Sequence, residues 1–128
     1  MRYLALDVGD RTIGLAVGDE TFGLARPLRT IRRRGVAADL DALRAIVEKE
    51  DVDGLVIGLP LNLAGEAGHQ ADRVRRFADS ARSLAKPIEL LDERFTTAEA
   101  LRRGADDLDA GAAVVLLEDF FSGRRRRA

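Results

Sequence analysis

Apolar residues follow two different periods along the chain. Residues 3–8, 12–17 and 22–31 are three apolar segments with strand character, and short polar turns separate them. Short polar connections favour hairpins, so the pattern predicts an antiparallel meander of three strands. Pro27 lies inside the third segment. Because proline has no backbone N–H to donate, it predicts that this strand lies at a sheet edge.

The period then becomes helical. Apolar residues recur at helical spacing up to Val47, with Asp39 near the start and Lys49 near the end of the segment. Charges in those positions favour a helix. A short apolar run at residues 55–57 ends in Gly58 and is typical of a buried parallel strand.

The same alternation continues towards the C-terminus. An apolar stripe predicts a helix from about residue 66 to residue 85, and residues 88–91 predict a fifth strand. Thr96 and Glu99 have the spacing of a capping box, which predicts a helix that begins there and ends near Gly104. The last helix starts near Asp109 and is apolar almost all round, so we expect it to be buried on more than one side.

This order of elements indicates an α/β protein with a five-stranded mixed sheet flanked by helices. Three strands are antiparallel, and two more follow through β-α crossovers. Right-handed crossovers would place the fourth and fifth strands parallel to the first and beside it. The first strand then lies at the centre of the sheet, and ligands of open α/β sheets bind where the parallel strands end.

Three acidic residues are expected to meet at that edge. Asp7 lies at the end of the first strand, Glu93 follows the fifth strand, and Asp109 opens the last helix. Converging carboxylates repel one another unless they share a hard cation. The arrangement predicts metal-dependent phosphodiester chemistry, in which two cations about 4 Å apart clamp a scissile phosphate.

Each of these residues also has a simpler structural interpretation. Asp7 could brace the hairpin turn, Glu93 could be a solvated loop residue, and Asp109 could cap a helix. Asp106 and Asp107 fit the third position as well as Asp109 does on spacing alone.

The composition restricts the metal. The 128 residues include no cysteine and a single histidine. Disulfides and thiolate sites are therefore excluded, and a zinc site is disfavoured. Oxygen ligands favour Mg²⁺ or Mn²⁺.

Arginine supplies nearly all the positive charge of a chain whose formal net charge is −1. A guanidinium group can bind a phosphate through two parallel hydrogen bonds, so arginine clusters are candidate nucleic-acid contacts. The arginine cluster at residues 32–34 could contact nucleic acid or could simply be solvated surface charge. The main candidates are Arg11, Arg94, Arg124, Arg125, Arg126 and Arg127.

Residues 1–123 are expected to form one domain, and residues 124–128 a basic, disordered tail. The apolar runs are far shorter than a membrane span. Arg2 and Asp7 interrupt any signal-peptide pattern. We therefore expect a soluble cytoplasmic protein with no membrane partner.

With these residues in hand, the chain resembles the YqgF/RuvX family, which is related to RuvC. Four ordered segments carry the resemblance over nearly the whole chain: LALDVGDRTIGLAVGD, VIGLPLNLAGEAG, LLDERFTTAEA and LDAGAAVVLLEDFF. Between the last two, the chain is short and lacks the lysine-rich stretch usual in the family, which could move substrate contacts to the terminal arginines.

The resemblance implies an RNase H-like fold and a nuclease role for Asp7, Glu93 and Asp109. The aspartate before the paired alanines of the closing helix selects Asp109 over its two neighbours. Members of the family are linked to maturation of the 5′ end of the 16S rRNA precursor, and some to cleavage of Holliday junctions and other branched DNA.

Two other functions remain open at this stage. An actin-like phosphotransferase also has Asp-x-Gly after its first strand, but it needs a second related domain, for which this chain is too short. A nucleic-acid-binding factor without catalysis could act in ribosome assembly or transcription. The sequence does not distinguish RNA from branched DNA as the substrate. A homodimer is possible, since Phe95, Phe120 and Phe121 could belong to an interface or to the core.

Overall fold

The computed structural model describes residues 1–60, 68–92 and 109–127, and in the last of these ranges it describes side chains for residues 110–123. The regular elements alternate as the sequence predicts. The strands are β1 (Arg2–Val8), β2 (Thr12–Asp19), β3 (Leu24–Arg32), β4 (Gly54–Leu59) and β5 (Ile88–Asp92). The helices are α1 (Val36–Lys49), α2 (His69–Ser80) and α3 (Asp109–Arg127), with a short 3₁₀ helix at Ala81–Leu84.

The five strands form one mixed sheet in the order β3-β2-β1-β4-β5. β1 pairs antiparallel with β2 and parallel with β4, and β4 pairs parallel with β5. The predicted fold class is therefore confirmed, with β1 at the centre. β3, which contains Pro27, lies at one edge, as its proline predicts.

The two faces of the sheet are buried by different helices. Successive side chains of a strand point to opposite faces, and β1 shows this alternation. Leu4, Leu6 and Val8 pack with apolar residues of α1 and α2, on what we call the α1/α2 face. Tyr3 and Ala5 pack with α3, on what we call the α3 face. The central strand is thus buried on both sides, which fixes its position in the molecule.

Helix α1 begins where Gly35 permits an unusual backbone conformation. Gly35 has a φ of 112°, in the region that favours glycine over residues with a side chain. Asp39 lies in the first turn and Lys49 in the last, where each charge complements the helix dipole. The expectation for this helix is confirmed.

Helix α2 is shorter than the apolar stripe predicts. It begins at His69, after Gly68 in an extended conformation, and not at about residue 66. It gives way to the 3₁₀ helix after Ser80, and Ala85 then adopts a left-handed conformation with a φ of 58°. The helical segment as a whole, including the 3₁₀ helix, ends before Lys86, because a residue that precedes proline avoids the α conformation.

Helix α3 continues to Arg127, where the sequence predicts a disordered tail from residue 124. Arginine is a good helix former, and cations are favoured at the C-terminal end of a helix. Both effects support the extra turn. The helix predicted to begin at Thr96 lies outside the described residues, as does Phe95.

Aromatic residues near the end of α3 anchor it to the start of β1. The rings of Phe120 and Phe121 lie 5.1 and 6.1 Å from the ring of Tyr3, both with edge-on geometry. Both phenylalanines are buried within the chain. They therefore belong to the core, which settles one alternative left by the sequence. In the parts of the chain that the structure describes, no helix combines the length and hydropathy that crossing a membrane requires.

We expect Phe121→Ala to lower the free energy of unfolding by about 3–5 kcal/mol, because a large buried side chain is lost and a cavity remains. Phe121 is 1% exposed, whereas Phe22 at the β2–β3 turn is 74% exposed. Phe22→Ala is therefore the matched control and should change stability by less than about 0.5 kcal/mol. Urea unfolding measures both variants. Equal effects would contradict this account of the α3 face.

Candidate active site

Asp7 is buried at the carboxyl end of the central strand. Its relative exposure is 2%, and it shares the α3 face with Tyr3 and Ala5 because the three residues alternate with the leucines of the opposite face. Its backbone lies within the paired part of the strand, opposite Gly14 of β2. The sheet therefore holds this carboxylate in a fixed place.

Glycines lie on both sides of Asp7 in the sheet. Gly14 is its partner on β2. On β4 the neighbouring position is Gly58, which follows Ile57, the partner of Leu6. Val56 packs on the α3 face, so Gly58, two residues later, belongs to the same face. The carboxylate thus has no side chain beside it from either adjacent strand.

The length of α3 brings its first residue towards the same edge. Phe120 packs on Tyr3 at the other end of β1. From Phe120 back to Asp109 the helix extends about 16 Å at 1.5 Å per residue. From Tyr3 to Asp7 the strand extends about 13 Å at 3.3 Å per residue. A helix running antiparallel to β1 over this face would therefore begin near the level of Asp7.

The structure describes only one of the three predicted carboxylates. Asp7 is described, Asp109 is described as the first residue of α3 without its side chain, and Glu93 lies outside the described residues. β5 ends at Asp92, immediately before Glu93. Their convergence stays a prediction. The same holds for Arg94 and for the side chains of the four terminal arginines.

The donor chemistry at Asp7 fits a hard cation. Carboxylate oxygens are preferred ligands of Mg²⁺ and Mn²⁺, and neither of the two flanking glycines places a side chain beside the carboxylate. Within the described residues, no three His, Cys, Asp or Glu side chains are placed to hold a metal. A ligand set made of three protein carboxylates would therefore have to include residues such as Glu93 and Asp109.

The turn after Asp7 is fastened to α1 by a partly buried arginine. Nη1 of Arg33 donates to the carbonyl oxygen of Gly9 at 3.0 Å, and its Nε donates to Oδ2 of Asp39 at 3.1 Å. Asp39 is 2% exposed and also accepts the backbone N–H of Arg34 at 2.9 Å. The Arg33 guanidinium lies 5.2 Å from the ring centroid of Phe77 on α2, a cation–π distance.

These contacts change the interpretation of the arginine cluster at residues 32–34. Arg33 is an internal tie between the β1–β2 turn and both helices of the α1/α2 face, not a surface contact for nucleic acid. Arg32 and Arg34 are exposed. The sequence carries no signal for this role, because three consecutive arginines look alike until the direction of each side chain is known.

A second ion pair holds the same turn to α2. Nη1 of Arg73 lies 2.7 Å from Oδ1 of Asp10, and its Nη2 lies 3.1 Å from Nε2 of His69. Both members of the ion pair are well exposed, so its contribution to stability is small. Arg11 of this turn is exposed, as a nucleic-acid contact requires.

Comparisons with known proteins agree on one family. A family model described as RuvX: Holliday junction resolvase matches residues 1–123. A protein of Moorella thermoacetica is 44% identical over 128 residues, which cover 99% of this chain and 83% of that protein. A protein of Anaeromyxobacter sp. is 41% identical and covers 97% of this chain and 98% of its own length. Both are named, provisionally, as pre-16S rRNA nucleases.

A solved structure shares the fold. RuvC of Thermus thermophilus, in complex with a Holliday junction substrate, has a TM-score of 0.61 and 14% identity, covering 98% of this chain and 96% of that one. The likeness confirms the predicted architecture, and at this identity it speaks for the fold alone.

Removing the carboxylate of Asp39, which pairs with Arg33, should destabilise the fold. We expect Asp39→Ala to lower the free energy of unfolding by about 3–5 kcal/mol, because it leaves the partly buried Arg33 without its counter-charge. Asp41→Ala is the matched control on the same helix, since Asp41 is 77% exposed in its pair with Arg44. Its effect should stay below about 1 kcal/mol. Urea denaturation measures the free energy of unfolding of both variants. Similar losses in the two would contradict the proposed role of the Arg33–Asp39 pair.

Proposed function

The chain belongs to the RuvX Holliday junction resolvase family, and on that premise we propose that it is a metal-dependent nuclease that hydrolyses phosphodiester bonds. The observation that carries the proposal is Asp7, a carboxylate that is 2% exposed at the carboxyl end of the central strand with glycine on both sides. Carboxylate oxygens are preferred ligands of Mg²⁺ and Mn²⁺, so a hard cation shared with other carboxylates would account for an acidic residue at this position.

Asp7, Glu93 and Asp109 are the residues that would hold Mg²⁺ or Mn²⁺. The supporting geometry is that β1 and β5 are parallel and end at one edge, with only β4 between them. Neighbouring strands lie about 4.8 Å apart, so residues at the ends of β1 and β5 are about 10 Å apart, within reach of shared cations and side chains. When bound, divalent cations would neutralise charge on the scissile phosphate and lower the pKa of an attacking water.

The chain's own residues supply position and charge. β1 is paired on both sides, so Asp7 can hold its ligand geometry without reorganisation as charge develops. Arg33 and Arg73 restrain the turn that follows it. Arg11, exposed in that turn, and Arg94 are proposed to contact substrate phosphates, as are the arginines of the last turn of α3.

We propose precursor 16S rRNA, cut during maturation of its 5′ end, as the substrate. Support comes from relatives with a pre-16S rRNA nuclease name that are 41–44% identical over nearly the whole of this chain. Such processing would take place in the cytoplasm, the location expected from the sequence. Branched DNA is the second candidate, favoured by the description of the family model. Paired junction cuts would require two sites, and thus a homodimer.

Asp7→Asn should remove cleavage while substrate binding is kept. The amide has nearly the shape of the carboxylate but not its charge, so several kcal/mol of stabilisation are lost and the rate should fall by about 10²-fold or more. Purified protein with Mg²⁺ or Mn²⁺ is assayed on ribosomal precursor, single strands and four-way junctions. Gel filtration of the same samples reports the oligomeric state.

Asp41→Asn provides the matched control, because the same chemical change is made at an exposed carboxylate on α1. It should cut like the parent. If Asp7→Asn also cuts like the parent, Asp7 does not act in catalysis. If the parent binds nucleic acid but cuts none of the substrates with either metal, a non-catalytic role in ribosome assembly or transcription replaces the nuclease.

A further inference from the structure

A cleft of about 510 Å³ lies beside β5 on the α1/α2 face, away from the face that carries Asp7. It is formed where α2 and the 3₁₀ helix pass over the edge strand of the sheet. Its lining combines an apolar floor with charged walls. The floor consists of Ala78, Ile88 and Leu90, and the walls of Arg75, Asp79, Arg82 and Lys86.

The walls carry an excess of positive charge. Arg75, Arg82 and Lys86 oppose a single carboxylate, that of Asp79. Asp79 lies 3.5 Å from Arg82, and the two side chains are 71% and 79% exposed. An ion pair this exposed is weak, so Arg82 can exchange it for a phosphate at little cost. The cleft as a whole therefore suits a polyanion.

The cations form a line rather than a point. Arg75, Asp79 and Arg82 are spaced four and three residues apart, which places them in one row along the helical segment. From Arg75 to Arg82 this row covers about 10 Å at 1.5 Å per residue. Lys86 follows, two residues before β5 begins. A row of cations along a concave cleft matches a chain of phosphates better than it matches a single small anion.

The floor favours an unpaired strand over a duplex. Leu90 is 44% exposed, and covering its apolar surface with a base face that is not stacked in a helix is favourable. The bases of a duplex are turned inward, and only its phosphates would reach this lining. The lining residues include no aromatic side chain. We therefore expect binding to be mainly ionic and to have little sequence preference.

The cleft leads towards the proposed active edge. Leu90 lies two residues before Asp92, the end of β5, a distance of about 7 Å along the strand. Resting on the proposed nuclease function, we propose that this cleft binds a single-stranded segment of the RNA substrate that continues from the scissile phosphate. It would align the strand with the edge at which Asp7 lies.

The test measures binding without cleavage. Arg75, Arg82 and Lys86 are changed together to alanine in the Asp7→Asn chain, and the dissociation constant for a 5′-labelled single-stranded RNA of about 12 nucleotides is measured across a salt series. The matched control changes Arg29, Arg44 and Lys49 to alanine, which removes the same charge from exposed positions of β3 and α1. Urea unfolding verifies that both variants fold.

We expect the cleft variant to bind at least about tenfold more weakly, and its salt slope to fall by about 0.7 for each phosphate that the cleft no longer neutralises. The control variant should have a dissociation constant and a salt slope close to those of the parent. In the chain with Asp7 intact, the cleft variant should raise KM for RNA cleavage with kcat changed less than about twofold, because residues at the chemistry are untouched.

The outcomes separate this proposal from the nuclease function. If the parent cuts RNA and the cleft variant matches the control in affinity and salt slope, the cleft assignment is overturned while the function stands. If the cleft substitutions weaken the binding of duplex RNA or polyglutamate as much as they weaken the binding of single-stranded RNA, the assignment to a single strand is overturned. If the parent neither cuts nor binds RNA, the proposed function itself fails.

Discussion

The burial of β1 on both of its faces is the constraint from which the rest of the molecule follows. Hydrogen bonds to β2 and β4 fix its backbone, leucines on one face pack under α1 and α2, and Tyr3 and Ala5 on the other pack under α3. A strand held in this way has almost no freedom to move. A carboxylate at its end is therefore placed by the whole core, and not by a surface loop.

The two faces have different relations to Asp7. The carboxylate lies on the α3 face, yet the turn that follows it is restrained from the other face, by Arg33 through Asp39 and by Arg73 through Asp10. The first of these ties is partly buried and includes the ring of Phe77, whereas the second is exposed. Helices that do not touch the α3 face thus still support the proposed site, because they hold the backbone that leaves it.

Glycine has a specific part in this arrangement. A side chain at Gly14 or Gly58 would stand directly beside Asp7 on the α3 face, at the spacing of adjacent strands. Because neither glycine has a side chain, no Cβ atom of β2 or β4 stands beside the carboxylate, while both strands keep their pairing. The same edge is the one where parallel strands of an α/β sheet present their carboxyl ends, and the nuclease proposal rests on that coincidence of charge and topology.

The sequence by itself determined the order of the elements, the mixed sheet and the central place of β1, because apolar period, short turns and crossover handedness are local or nearly local properties. It also singled out Asp7, since a lone carboxylate in an apolar strand is conspicuous. The tertiary structure decided what depends on direction: that Arg33 turns inward to Asp39 while its neighbours are exposed, that Gly58 lies beside Asp7, and that α2 stops at Ser80. These outcomes depend on which residues distant in the chain meet in space, and no period along the sequence carries that information.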